Sequence, residues 1–175
     1  MVLTDDEALA RRARHLTTQA REPGPEWIHR EVGFNYRLTN LHAALGVAQL
    51  EQLDGFIEAK RATAQAYSKA LVALEGVTPL EEAPWACSTY WMYSVLLGAG
   101  WGDVRALIAR TNEQGIQLRP LWRPLHHQPA FAGCRSHRIE IADRLYDRGV
   151  SLPCSVDITS EEREAVVAAL AAARS

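Results

Sequence analysis

The chain has 175 residues, 47% hydrophobic and 23% charged, with a formal charge of −2. That suits one ordinary globular domain with its own core, and it argues against disorder, nucleic-acid binding or adhesion to a charged membrane surface. No apolar run approaches membrane-spanning length, and Asp5, Asp6 and Glu7 stand where a signal peptide would carry positive charge. Cys87, Cys134 and Cys154 are odd in number and unpatterned in spacing, as expected of reduced thiols in a soluble cytoplasmic protein.

In chain order, Thr4-Asp5-Asp6-Glu7 reads as a capping box, with Thr4 as the cap of a helix running to about Leu16. Glu22-Pro23-Gly24-Pro25 breaks regular structure, so Gln19 to Val32 is predicted to be loop. Thr39 or Asn40 caps the next helix. It looks long, because Leu50, Leu53, Ile57, Ala64, Tyr67, Leu71 and Leu74 recur at helical steps. Asp54-Gly55 falls inside that pattern, and either a kink or a short break is compatible with it. Beyond Gly76, Val77 to Leu80 and Trp91 to Leu97 are rich in strand formers. Gly102 to Gln114 reads as a helix stopped by Gly115, and Ile116 to Trp122 as a strand interrupted by Pro120. A helix follows over Arg138 to Arg148, then a short strand or turn at Ser151 to Cys154. Thr159-Ser160-Glu161-Glu162 is a second capping box, opening a last helix. Strands alternating with helices predict a small α/β or α+β layer packed on the long helix.

Three groups carry potential chemistry. In Gly33-Phe34-Asn35-Tyr36-Arg37, the glycine permits positive φ, Asn35 offers an amide donor and Arg37 a permanent positive fork. With the helix N-terminus at Thr39 behind them, these residues make either an anion-facing loop or a plain capping turn. Arg119 to Phe131 holds three prolines, two arginines, His126 and His127, and an aromatic face in Trp122. It reads either as a surface loop or as part of a pocket. His126, His127, Cys134 and His137 lie close in sequence, but they lack the paired ligand spacing of a structural zinc site, so no metal is expected. Gly98 to Gly102 is glycine-rich without being a dinucleotide fingerprint and reads as a turn. Cys154 shows no activating arrangement in sequence.

Gly33 to Leu41, running into the small-residue helix Ala43 to Leu50, closely resembles the signature of the DegT/StrS-type nucleotide-sugar aminotransferases, which depend on pyridoxal phosphate and include perosamine synthase. The likeness continues through Trp122 to Phe131 and on to the C-terminus, and it covers only the C-terminal half of a family member. It implies the C-terminal small domain of a fold-type-I aminotransferase (residues 39–175 with the linking helix), and a remnant of the large cofactor domain over residues 1–38. Met1 to Asp6 resembles the strand and turn that follow the glycine-rich segment after the family's cofactor lysine.

The resemblance assigns Asn35 to the cofactor phosphate of the other subunit of a homodimer, and places Arg37 in the same motif. It places Trp122 and His126 in the sugar-nucleotide pocket. The implied reaction moves an amino group from glutamate or another amino acid to a keto-sugar nucleotide. The family lysine that holds the cofactor as a Schiff base lies upstream of the matched segment. The two lysines of this chain, Lys60 and Lys69, read as solvated residues of a helix face. The expectation is therefore a chain inactive alone, completed by an N-terminal half or a homodimer partner. The alternative is a non-catalytic dimerisation or binding module derived from that family. Either way Tyr36, Trp85 and Trp91 are candidates for exposed apolar surface, and the lone chain is expected to self-associate.

Overall fold

The computed structural model describes residues 2–174, and its contacts divide the chain into two compact units between Gln52 and Leu53. The resemblance implies an earlier division, at residue 38. Met1, the first residue of the strand-and-turn resemblance, lies outside the described residues, and Val2 to Asp6 forms no strand.

The first unit opens with helix α1, Glu7–Thr17. Its cap is Asp6, whose carboxylate accepts from the amides of Ala8 and Leu9, while Thr4 accepts from Asp6. The expected Thr4 cap is thus displaced by two residues, because an ionised carboxylate is the stronger acceptor beside the positive helix end. Beyond α1 the chain turns through Gln19 and Ala20, both at positive φ. Residues 33–36 then run back antiparallel to 16–19. Phe34 donates to the Leu16 carbonyl at 2.7 Å, Tyr36 to Thr17 at 3.1 Å, and Gln19 to Phe34 at 3.0 Å. Arg12 and Glu31 form an ion pair, and the guanidinium holds the Glu31 carboxyl below its ordinary range. Thr39 caps α2, Asn40–Leu50, by accepting from the His42 amide.

The stretch read as one helix is broken at Glu51 and Gln52, and Gly55 lies within the following helix α3, Leu53–Leu71. α3 buries Thr63, Ala64, Tyr67 and Leu71 on one face. The sheet of the second unit comprises β1 (Val77–Pro79), β2 (Tyr93–Leu97), β3 (Arg119–Pro120) and β4 (Gly149–Leu152), in spatial order β1-β2-β4-β3. Every neighbouring pair is antiparallel. Three further helices complete it: α4 (Val104–Glu113), α5 (Glu140–Arg148) and α6 (Ser160–Ala172). Gly115, at φ +83, stops the α4 segment as expected, and Thr159 with Glu162 forms the predicted capping box of α6.

Strand alternation sorts the two faces of the sheet. Tyr93, Val95 and Leu97 of β2 join Val150 and Leu152 of β4 in the core, with Trp101, Leu107, Leu118 and Leu170. On the opposite face Ser94 and Ser151 are cross-strand partners, their hydroxyls 2.8 Å apart. The expected short strand or turn at Ser151 to Cys154 overlaps β4 at Ser151 and Leu152 only, and β4 is a central strand buried along its whole length. Among the described residues no helix is long and apolar enough to cross a membrane.

Candidate functional site

Three sets of polar residues stand out, one in the first unit and two in the second. In the first unit, residues 33–37 are extended, so alternate side chains take opposite sides. Phe34 and Tyr36 stack on each other at 5.2 Å. Asn35 and Arg37 fall on the other side and line an open cleft of roughly 520 Å³ with Thr18, Arg21 and Trp27. Arg21 lies over the Trp27 ring at 4.0 Å and donates to the Gly24 carbonyl at 3.2 Å, while its Nε is buried without a partner. The cleft therefore gathers the guanidinium groups of Arg21 and Arg37 and the carboxamides of Gln19 and Asn35, with the Glu22 carboxylate also on its lining. That donor set suits a phosphate, since arginine presents fixed N–H groups to an oxyanion.

Gly33 holds this arrangement for a reason other than the expected one. Its φ is not positive. A Cβ there would lie 2.3 Å from both the Ala20 nitrogen and the Gln19 carbonyl carbon, so close backbone approach is what demands glycine.

In the second unit a cleft of roughly 330 Å³ is lined by Lys60, Trp91, Gln117, Arg119, Ser151 and Cys154, among others. Trp122 stacks on Trp91 at 5.7 Å with the rings 19° from parallel, and both are exposed. Lys60 is not the solvated helix-face residue its spacing suggested. Its ammonium donates to the carbonyls of Trp91, at 3.1 Å, and Cys154, and sits 3.6 Å from the Cys154 sulfur. Lys69 is exposed, as expected. Nothing in the helical pattern marks Lys60 as different, because its carbonyl partners lie 31 and 94 residues away.

The loop carrying Trp91 is pinned from α3. Arg61 pairs with Glu82 at 3.0 Å and donates to the Ser88 carbonyl at 2.5 Å, while Glu82 accepts from the Ser88 amide. The Arg61 guanidinium, followed by the Ser88 amide, holds the Glu82 carboxyl below the usual glutamate range. A carboxyl lowered in the folded state contributes stability above its unfolded pKa and loses it as pH falls through the folded value. In an NMR titration the Glu82 carboxyl and the Ser88 amide are expected to move together, with a midpoint below that of free glutamate. A midpoint at the ordinary glutamate value would remove this pin from the account.

His126 and His127 sit on a short 3-10 turn, Leu125–His127, and both reach Asp143 of α5. The distances to the same Oδ1 are 2.6 Å from His126 and 3.2 Å from His127. Cys134 and His137, which the sequence placed near these histidines, are exposed and stand outside the cluster.

An antiparallel four-stranded sheet with helices packed on it, preceded in sequence by a small-residue helix and an Asn-Tyr-Arg turn, shares the fold of about half of a solved aminotransferase chain. Residues 1–171 match the DegT/DnrJ/EryC1/StrS aminotransferase family, and the chain belongs to that family. It is 37% identical to EpsN of Bacillus subtilis (strain 168) over 174 residues, covering 97% of this chain and 45% of that protein. It is 34% identical to the GDP-perosamine synthase of Caulobacter vibrioides over 172 residues, covering 97% and 46% respectively. The aminotransferase TlmJ from Streptoalloteichus hindustanus shares the fold at a TM-score of 0.81 and 24% identity, covering 97% of this chain and 45% of its own. The chain thus spans about half the length of the relatives it matches.

Proposed function

We propose that this chain supplies the C-terminal portion of a sugar aminotransferase that moves an amino group from an amino acid, glutamate foremost, to a keto-sugar nucleotide. The observation that carries the reading is the pairing of Asn35 and Arg37 on one side of an extended segment, in a cleft with Arg21. On this reading residues 1–38 belong to the large cofactor domain and 39–175 to the linking helix and small domain.

The donors of the first cleft fit the phosphate end of pyridoxal phosphate. The amine end has no match. Lys60 lines the second cleft but its amine is tied to two carbonyls, and Lys69 is exposed on a helix, so neither presents a free amine to a pocket. Bound pyridoxal phosphate supplies the electron sink for amino transfer, and this chain's residues anchor and orient. Asn35 donates its amide to the phosphate of the partner subunit's cofactor, and Arg37 adds positive charge beside it. Trp122, stacked on Trp91, presents an aromatic wall to the sugar nucleotide, and His126, oriented by Asp143, presents an imidazole edge.

Exposed Leu41, Leu45, Val47 and Leu50 leave the whole of α2 without buried residues, which favours pairing of this helix with a second copy. The same observation supports the second reading, a dimerisation module without catalysis.

The test joins this chain to the lysine-bearing N-terminal half of the Caulobacter GDP-perosamine synthase. The chimera is expected to hold pyridoxal phosphate and to transfer amino groups. Asn35→Ala in the chimera is expected to weaken cofactor binding about tenfold or more, the loss of a hydrogen bond to a charged group. Unchanged cofactor affinity would remove Asn35 from the phosphate site. A chimera that folds and dimerises but never transfers an amino group would favour the second reading. The unmodified chain, treated with pyridoxal phosphate and borohydride, is expected to show no label at Lys60 or Lys69 by peptide mapping. A labelled Lys60 would overturn the assignment of this chain as lysine-deficient.

A further inference from the structure

We propose that His126, His127 and Asp143 form a binding site for a divalent transition-metal ion of the zinc, cobalt or nickel class. The proposal stands on this cluster alone and needs neither the cofactor nor the sugar reaction.

The geometry of the cluster is unusual for two adjacent histidines. Neighbouring residues on a 3-10 turn are about 120° apart around its axis, so their side chains normally diverge. Here both Nε2 atoms converge on one carboxylate oxygen, at 2.6 and 3.2 Å, and the rings meet edge to face at 4.3 Å. The three donor atoms all lie within 4.8 Å of one another. Donors bonded to a common ion at about 2.0–2.2 Å are themselves about 3–4 Å apart, so little movement is needed to admit one.

The surroundings hold the ligands in place. Asp143 and Tyr146 are three residues apart on α5 and therefore share a face. The His127 ring packs edge-on against Tyr146 at 5.9 Å. Arg105 lies over Tyr146 at 4.2 Å and donates to its backbone carbonyl at 2.7 Å, fixing that wall from α4. The side chains of His126, His127 and Asp143 keep 19%, 34% and 33% of their exposure, so the cluster is supported on one side and open to solvent on the other.

Two imidazoles with one carboxylate favour a borderline ion over magnesium or calcium, which require mostly oxygen donors. Three protein ligands leave at least one coordination position for water or an anion. A bound ion would also tie the Leu125–His127 turn to α5 and so hold the His126 imidazole in one orientation.

The test is titration of the 175-residue chain with cobalt(II), read by its visible absorption, and with zinc(II) in competition with a chromophoric chelator. One ion per chain is expected. His127→Gln and Asp143→Asn are each expected to weaken it at least about tenfold, the minimum for losing a ligand when losing an outer partner already costs that much. His137→Gln, on the same loop but outside the cluster, is expected to leave binding unchanged. Circular dichroism checks the fold of each variant, and His127→Gln alone decides the matter if Asp143→Asn does not fold. Absence of binding, or equal affinity in the wild type and His127→Gln, overturns the proposal. Loss of binding in His137→Gln would do the same, since it would place the ion elsewhere on the loop.

Discussion

Alanine at position 33 is expected to unzip the first unit around its cleft, at a cost of about 3 kcal/mol. The added methyl would lie 2.3 Å from the Ala20 nitrogen and the Gln19 carbonyl carbon, and 2.8 Å from the Ala20 Cβ. Two of those three neighbours are backbone atoms, which cannot rotate aside as a side-chain end does. They also belong to a turn with little slack, because Gln19 and Ala20 already sit at φ 66 and 51, where non-glycine residues are disfavoured. Relief therefore comes from moving residues 33–36 away from 16–19. That motion stretches the three hydrogen bonds joining Gln19, Phe34, Leu16, Tyr36 and Thr17. The consequence reaches the cleft, since Asn35 and Arg37 face it only while the segment stays extended and in register. Amide hydrogen exchange at Gln19, Phe34 and Tyr36 is expected to accelerate in Gly33→Ala, with no such change in β2 and β4. In the chimeric enzyme the same substitution is expected to weaken cofactor binding as Asn35→Ala does, although Asn35 is intact. Unaltered protection at Phe34 and Tyr36 would show that the turn yields without losing its pairing.

Much of this was legible in the sequence, for local reasons. The alternation Phe34-Asn35-Tyr36-Arg37 separates an aromatic side from a polar one once the segment is extended, although in sequence it reads as a loop or capping turn and its extension comes from pairing with residues 16–19. Thr39, Gly115 and the Thr159–Glu162 box act within a turn of their own helix ends, so their spacing is sufficient evidence. What sequence left out depends on distant partners. Lys60 looks like any helix-face lysine until the carbonyls of Trp91 and Cys154 are brought over it. Asp143 stands 17 residues from His126 on an ordinary amphipathic helix, and no spacing rule links them. β4 was hardest to read, because two of its four residues are glycine and serine. Its position between β2 and β3, rather than its own β propensity, makes it central. Asn35 and Arg37 line one cleft, and no spacing in the sequence marks Arg21 and Trp27 as their neighbours.

Trp101 is the clearest such case, and its removal carries the largest stability effect expected in the second unit. It lies in Gly98 to Gly102, which reads as a glycine-rich turn, and a turn it is: residues 99–101 form a short 3-10 segment. Yet Trp101 is 1% exposed, while Trp27, Trp85, Trp91 and Trp122 are all at least 69% exposed. Its indole N–H donates to the Glu75 carbonyl at 3.0 Å, which satisfies the one polar atom of the ring. The neighbouring turn is shaped to it: Gly76 sits at φ +78, and a Cβ there would meet the indole nitrogen at 3.0 Å. Arg148 fixes the turn from α5, donating to the carbonyls of Leu97 at 2.7 Å, Gly102 at 3.0 Å and Gly98. A turn clamped in this way cannot collapse into the space left by a smaller side chain. Trp101→Ala is therefore expected to cost about 3–5 kcal/mol, the upper range for a large aromatic in a core that cannot relax. Against the 5–15 kcal/mol typical of a whole domain, that is a substantial share of the total. Urea unfolding followed by far-ultraviolet circular dichroism should show the midpoint falling accordingly. Trp101→Phe, which keeps most of the volume and loses chiefly the bond to Glu75, is expected to cost about 1–2 kcal/mol. Native fluorescence supplies an independent reading, because removing the one buried indole should shift the emission to longer wavelength. Equal costs for alanine and phenylalanine would mean that the hydrogen bond, and not the packing, is what this turn contributes.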